Sequence, residues 1–238
     1  MATDDETRHR QRVRRTTFVD EQTWVTFNEF KAGITGRKGE SAVARALAAL
    51  GHQALHDVIL ADLFGVTQVD HVVRASDAIL VIETKTYGGH ITGTPEGGEW
   101  LQHLVNGEVR HVFQNPARQN HRHCRAVEAA LAGYDVPVVG AIVSAGSATF
   151  CAELEGIVVP IGCLGDLFRP LPPRAHDAAA LESAWHQLVA AVAAAEPRRE
   201  EHHEAVRRHR NGLPPSCSKP YESPHPGPVE KGGDDAAI

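Results

Sequence analysis

One stretch, residues 67–85, constrains the fold of this chain more than any other. Two apolar runs, 67–74 and 78–85, flank the turn-prone pair Ser76-Asp77, a pattern that reads as a β-hairpin closed by a two-residue loop. In that register Asp70 faces Glu83 and Gln68 faces Lys85. Side chains return to the same face of a strand every second residue. Gln68, Asp70, Glu83 and Lys85 therefore share a face at the open end of the hairpin, with Val72, Ile79 and Val81 nearer the turn. The other face carries Val69, His71, Val73, Leu80 and Ile82. A hairpin apolar on both faces belongs in a sheet covered on both sides.

Into that sheet the sequence inserts two carboxylates and a lysine, and burying them without partners is costly. A Glu83–Lys85 ion pair offsets part of the cost. Asp70 opposite Glu83 is a like-charge cross-strand pair, which destabilises. A divalent cation resolves the conflict, because two carboxylates about 5 Å apart make an oxygen site of the kind Mg²⁺ accepts. Glu40 fits the same picture. The spacing of Glu40, Val43, Leu47 and Leu50 predicts a helix over 39–51 with one apolar stripe. An acid in the first turn is favoured by the helix dipole, yet Glu40 also lies on the core-facing stripe, where it needs a partner.

The rest of the chain reads as alternating elements. A strand is expected over 52–60, a short extended piece over 90–92 and a further strand over 108–113. Pro116 opens a helix reaching 133, a buried strand follows over 136–144, another over 157–161, and an Ala-rich helix over 176–195. The order helix, three strands, helix, strand predicts an α/β fold, a mixed central β-sheet flanked by helices. Residues 1–35 read as a polar extension, 36–165 as the main domain, 166–210 as a helical extension and 211–238 as a disordered tail poor in apolar residues.

Composition narrows function. The formal net charge is −6, concentrated over 36–165, where thirteen acids stand against nine bases. Such a chain does not coat nucleic acid by bulk electrostatics; a polyanion would be met by a local basic patch or by metal ions. Arg118, Arg122 and Arg125 recur at helical spacing beside His121 and His123, one basic stripe suited to phosphate contacts. Cys124, Cys151, Cys163 and Cys217 show no CxxC pairing, so neither a disulfide framework nor a zinc knuckle is expected. His71 reads as a core histidine on the face opposite Asp70, and His202, His203 and His209 as surface. No run approaches the ~18 apolar residues of a membrane span. The basic residues 8–15 are followed by Thr16, Thr17, Asp20, Glu21 and Gln22 rather than by an apolar region, so an export signal is not read and a cytoplasmic protein is expected. Gly88-Gly89 lacks the lysine and helix of a phosphate loop, and GxSxG, HExxH and dinucleotide-binding motifs are absent.

Four pieces in order carry a family resemblance: Gly39-Glu40 opening a helix; Gln68-Val69-Asp70-His71-Val72-Val73; Val81-Ile82-Glu83-Thr84-Lys85-Thr86-Tyr87-Gly88-Gly89; and Phe113-Gln114-Asn115-Pro116-Ala117-Arg118-Gln119. Together they resemble the nuclease-related domain (NERD), of the PD-(D/E)XK restriction-endonuclease-like superfamily, over roughly 37–143. The resemblance implies a restriction-endonuclease-like core in αβββαβ order. It implies that Glu40, Asp70 and Glu83 bind Mg²⁺ or Mn²⁺, that Lys85 is the catalytic lysine and that Gln119 positions substrate or site. Some relatives carry a tyrosine four residues after that glutamine; here the residue is His123. The expected function is metal-dependent phosphodiester hydrolysis, with DNA favoured over RNA and no membrane. The alternative is a nucleic-acid-binding or regulatory module of the same fold that acts with a separate DNA-processing protein such as a helicase, kinase or nuclease.

Overall fold

The computed structural model describes residues 21–63, 65–169 and 178–211; the disordered tail expected over 211–238 falls, beyond residue 211, outside the described residues. The described residues divide between Lys38 and Gly39 into two compact units. The first element, α1, is Glu21–Ala49. Three strands follow, β1 (Gln53–Asp62), β2 (Gly65–Arg74) and β3 (Ile79–Lys85). Next come β4 (His90–Thr92), β5 (Glu99–Leu104) and β6 (Val109–Gln114). Helix α2 (Pro116–Ala130) leads to β7 (Val138–Ser144), β8 (Thr149–Phe150) and β9 (Val158–Pro160). A 3₁₀ segment, Ile161–Phe168, precedes helices α3 (Ala178–Ala195) and α4 (Arg199–Arg210).

The strands form two mixed sheets, one of five in the order β1-β2-β3-β7-β9 and one of four in the order β6-β5-β4-β8. The fold is thus α/β, with mixed sheets flanked by helices. The central hairpin has the expected register: Val72 pairs with Val81 and Val73 with Leu80, and Ala75 N–H donates to Ala78 O across the two-residue turn at 2.9 Å. Both faces are covered. Val72, Ile79 and Val81 pack with Cys124 and Val127 of α2 and with Leu181, Ala184, Trp185 and Leu188 of α3, the last four at the i, i+3, i+4, i+7 spacing of one helical stripe. Val73, Leu80 and Ile82 pack with Val43 and Leu47 of α1 and with Leu164.

Three features differ from the sequence reading. Helix α1 starts at Glu21 rather than at residue 39. The stripe Glu40, Val43, Leu47 and Leu50 marks a helix start at Gly39. Gly39 is instead required inside the helix, because a Cβ there would run into Cγ2 of Thr86. The sequence predicts extended pieces at 90–92 and 108–113 but no strand at Glu99–Leu104, the element that joins them into a second sheet. The third is a break in alternation within β2. Val69 and Val72 lie in the same core, although three residues apart in a regular strand they would face opposite ways. The break coincides with Asp57 on the neighbouring strand, which adopts φ +51 and is skipped between the pairs His56–His71 and Val58–Val69. Arg199 of α4 braces it, donating to both Asp57 carboxylate oxygens at 3.1 Å and to its carbonyl oxygen at 2.6 Å.

The two sheets join through parallel connections. β3 and β7 run side by side, and beyond them Ala145 N–H donates to Lys85 O, Ala148 N–H to Tyr87 O and Thr149 N–H to Gly89 O, at 2.8, 3.0 and 2.9 Å. Gly146 sits where these links approach most closely; a Cβ there would run into the Tyr87 carbonyl oxygen and lie 2.8 Å from Tyr87 N. Because the neighbours are backbone, Gly146→Ala is expected to cost about 1–3 kcal/mol. Chemical denaturation should show this as a lowered midpoint with unchanged slope.

Candidate active site

The β2–β3 ladder stops at the His71–Ile82 pair. At the next step the Asp70 side chain takes over from the backbone: Thr84 N–H donates to Asp70 Oδ2 at 2.8 Å. This is the same point at which alternation breaks, so Gln68 parts from the hairpin face expected for it. Its Nε2 donates to Asp57 Oδ1 at 2.5 Å, and Lys85 has other partners.

Glu83 and Lys85 lie two residues apart on β3 and both turn toward α2. Glu83 is 2% exposed. Its Oε1 receives Lys85 Nζ at 2.7 Å, and the same ammonium donates to Gln119 Oε1 at 3.0 Å. On the other side of the carboxylate, His123 Nδ1 stands 3.2 Å from Glu83 Oε2. That is ion-pair range, but the approach is off the line of a straight hydrogen bond, and each of these buried atoms is left without a formed one. Gln119 and His123 are one helical turn apart, so a single face of α2 meets both charged residues of β3. Asn120, between them, donates to the backbone oxygens of Val81 and Ala141 at 3.1 and 3.0 Å, fixing the height of the helix over β3 and β7. Sequence alone marks His123 as a departure from a family pattern and a neighbour of the arginine stripe; its position four residues after Gln119 is the signal for the role seen here.

Charges here are strongly perturbed. Burial, then the like charges of Glu83 and Glu40, push the Asp70 carboxyl up to about 8, against the Thr84 N–H and Lys85. Burial pushes Glu83 up as well, but the contact with His123 and the Lys85 charge outweigh it and hold Glu83 below the usual carboxylate range. Lys85 is lowered by burial and raised more by Glu83 and Tyr87, so it remains an ammonium. Asp70 and Glu83 are thus two interacting acids driven in opposite directions. Glu40 joins them as a field. Its helix packs on the opposite face of the sheet from α2, and the close approach of Gly39 to Thr86 and Thr84 brings that turn beside the end of β3.

The arginine stripe of α2 is largely engaged within the chain. Arg122 pairs with Asp62, and Arg125 with Glu128 at 2.9 Å. Arg118 lies toward the Gly98 turn. His71 is buried, as expected for a core histidine; its Nδ1 is 2.8 Å from Nδ1 of His56, and burial followed by the neighbouring His56 lowers it to about 4. Among the described residues no group of three or more His, Cys, Asp or Glu side chains is already gathered as a metal cage, and no helix is long and apolar enough to cross a membrane.

In metal-free protein the raised Asp70 binds a proton that the unfolded chain has released above its ordinary value of 3.8. Stability must therefore fall as pH rises toward 8. The lowered His71 works the other way, but only below its ordinary value of 6.5. Thermal melts in EDTA are expected to show declining stability from pH 6.5 to 8. Asp70→Asn should flatten that decline and melt no lower than the parent at pH 8. A structural ion pair at Asp70 would instead give a loss of about 3–5 kcal/mol on substitution.

Residues 35–145 match the family model of the nuclease-related domain. An uncharacterized protein of Bacillus anthracis is 37% identical over 97 residues, covering 39% of this chain; the chain spans 45% of that protein's length. A crystal structure of a protein of unknown function, AF1548, aligns with a TM-score of 0.33 at 15% identity, covering 75% of this chain and 99% of that one. At that score the likeness carries no weight.

Proposed function

We propose that the nuclease-related domain carried by residues 35–145 of this chain is a metal-dependent nuclease that hydrolyses phosphodiester bonds, with DNA favoured over RNA. The observation that carries the reading is the buried Glu83 with the half-buried Asp70 and Lys85 beside it, Lys85 Nζ being bonded to both Glu83 and Gln119.

The residues fit a divalent cation. Asp70 is held near 8 by burial and two neighbouring acids, an excess of negative charge that a cation relieves, and Glu83 Oε2 has no formed hydrogen bond. Asp70 and Glu83, with Glu40 beside them, would hold Mg²⁺ or Mn²⁺. When bound, such an ion polarises a phosphoryl oxygen and acidifies a water. The chain's own groups do the rest. Lys85, kept charged, offers donors to the oxygens that gain charge during displacement at phosphorus. It is unsuited to take up a proton. Gln119 holds the ammonium from α2 and so fixes where those donors point. His123 braces the far oxygen of Glu83. Binding of a phosphodiester would draw Lys85 partly away from Glu83, leaving that carboxylate to the cation.

The test is incubation of purified protein with single- and double-stranded DNA and with RNA, in Mg²⁺, Mn²⁺ or EDTA. Cleavage is expected with either metal and none in EDTA. Lys85→Met should lower the cleavage rate by about 10²–10³-fold, the loss typical of removing one charge-stabilising donor, while leaving Mn²⁺ binding by calorimetry in place. Cleavage in EDTA would overturn the metal mechanism. Nucleic-acid binding without cleavage in any metal would establish the binding-module alternative.

A further inference from the structure

The four-stranded sheet has one face packed into the core and one outside. Ile91, Trp100, Phe113 and Phe150 belong to a core cluster with Ile142, Leu154 and Val158. Alternation puts the neighbouring residues on the outer face. The register lines four of them up in one cross-strand row: Thr149 of β8 beside His90 of β4, His90 beside His103 of β5, and His103 beside Arg110 of β6. Thr149, His90 and Arg110 are exposed and His103 is half-buried.

The row is organised. His90 Nδ1 is 2.9 Å from Thr149 Oγ1, and His103 Nε2 is 3.0 Å from Thr92 Oγ1. The two imidazole rings stand 6.2 Å apart. At a strand spacing of about 4.8 Å the row extends about 14 Å. The next row on the same face is Thr92, Leu101 and Val112. Within the four strands themselves the one acid is Glu99, two positions beyond Leu101 on β5; Glu96, Glu108, Glu153 and Glu155 lie in the flanking loops. In a chain of net charge −6, this is a run of imidazole and guanidinium donors without an interleaved carboxylate.

It is also continuous with the site. His90 lies five residues after Lys85, which limits their separation to roughly 17 Å of extended chain, about five nucleotide rises along a duplex strand. The connection is hydrogen-bonded to the sheet: Gln102 Nε2 donates to Gly88 O at 2.8 Å, and Thr149 N–H to Gly89 O at 2.9 Å.

We propose that the outer face of this sheet, along the row Thr149–His90–His103–Arg110, binds the phosphate backbone of the nucleic acid presented to the Lys85 site. The proposal rests on the nuclease reading for the identity of the polymer. Charge complementarity selects the occupant: Arg110 offers a guanidinium, and Thr149, His90 and His103 add hydroxyl and imidazole hydrogen-bonding groups, a combination suited to phosphate oxygens. The α2 arginines, which the sequence suggests for phosphate contacts, include two that are paired to acids of the same chain.

The experiment is fluorescence anisotropy of labelled single-stranded DNA, duplex DNA and RNA with the full chain in EDTA, across a salt series. Binding is thereby read without cleavage, and the three polymers are compared directly. Arg110→Glu and His90→Gln are surface changes whose folding is checked by thermal melting. Arg110→Glu is expected to weaken binding about tenfold and to reduce the slope of log affinity against log salt by about one, as loss of a single phosphate contact does. His90→Gln should weaken it by a smaller factor with fold intact. Folded variants that bind within about twofold of the parent, with unchanged slope, would overturn the surface; so would a parent that binds none of the three polymers. If those variants bind normally while the parent cleaves with metal, the surface fails and the nuclease reading stands. If they bind weakly while the parent cleaves nothing, the surface stands and the nuclease reading fails.

Discussion

Glu83 is a carboxylate almost closed off from water, in a sheet covered by helices on both faces, and the architecture around it answers to that constraint. A buried acid is tolerable only when paired and hydrogen-bonded. Lys85 supplies the pairing from the same strand. Gln119 and His123 supply the bracing from one face of α2. Asn120 pins that helix to the carbonyls of β3 and β7. Replacing a buried ion pair with well-packed apolar residues is often neutral or stabilising, so stability alone gives little reason for this arrangement. Under the proposed reading chemistry gives one: a carboxylate held ionised beside a second acid raised to about 8 is an arrangement that a divalent cation would relieve.

Much of this was legible in the sequence, for a definite reason. The pairing of the 67–85 hairpin follows from one turn and from strict alternation, and the observed register between His71 and Arg74 is the one expected. Pro116 marks the start of α2 because proline gives up no useful donor in a first turn. Asn115 before it completes the cap by accepting from Ala117 N–H at 2.8 Å. The resemblance in ordered motifs pointed to the family whose model matches residues 35–145.

What escaped was whatever depends on long-range geometry. The break at Asp70 is written in the φ +51 of Asp57 and in Arg199, 142 positions away along the chain; no local pattern announces it, and alternation carried past it misplaces Gln68. The second sheet escaped because β5 mixes Trp100, Gln102 and His103 with apolar residues, and neither face is dry along its whole length. Helix α1 escaped in its first half because periodicity reports packing and not helicity. His123 escaped because a histidine four residues after a glutamine has no meaning until both are seen to meet β3.

One small feature joins these parts mechanically. Asn115, fully buried, caps α2 with its carbonyl oxygen while its amide reaches the carbonyls of Pro95 and Gly97 at 2.8 and 2.7 Å, in the loop between β4 and β5. One side chain thereby clasps the turn of the outer sheet to the first turn of the helix that grips Lys85 and Glu83. The placement of Gln119 and His123 over β3 is therefore referred to the four-stranded sheet through Asn115 as well as to β3 and β7 through Asn120.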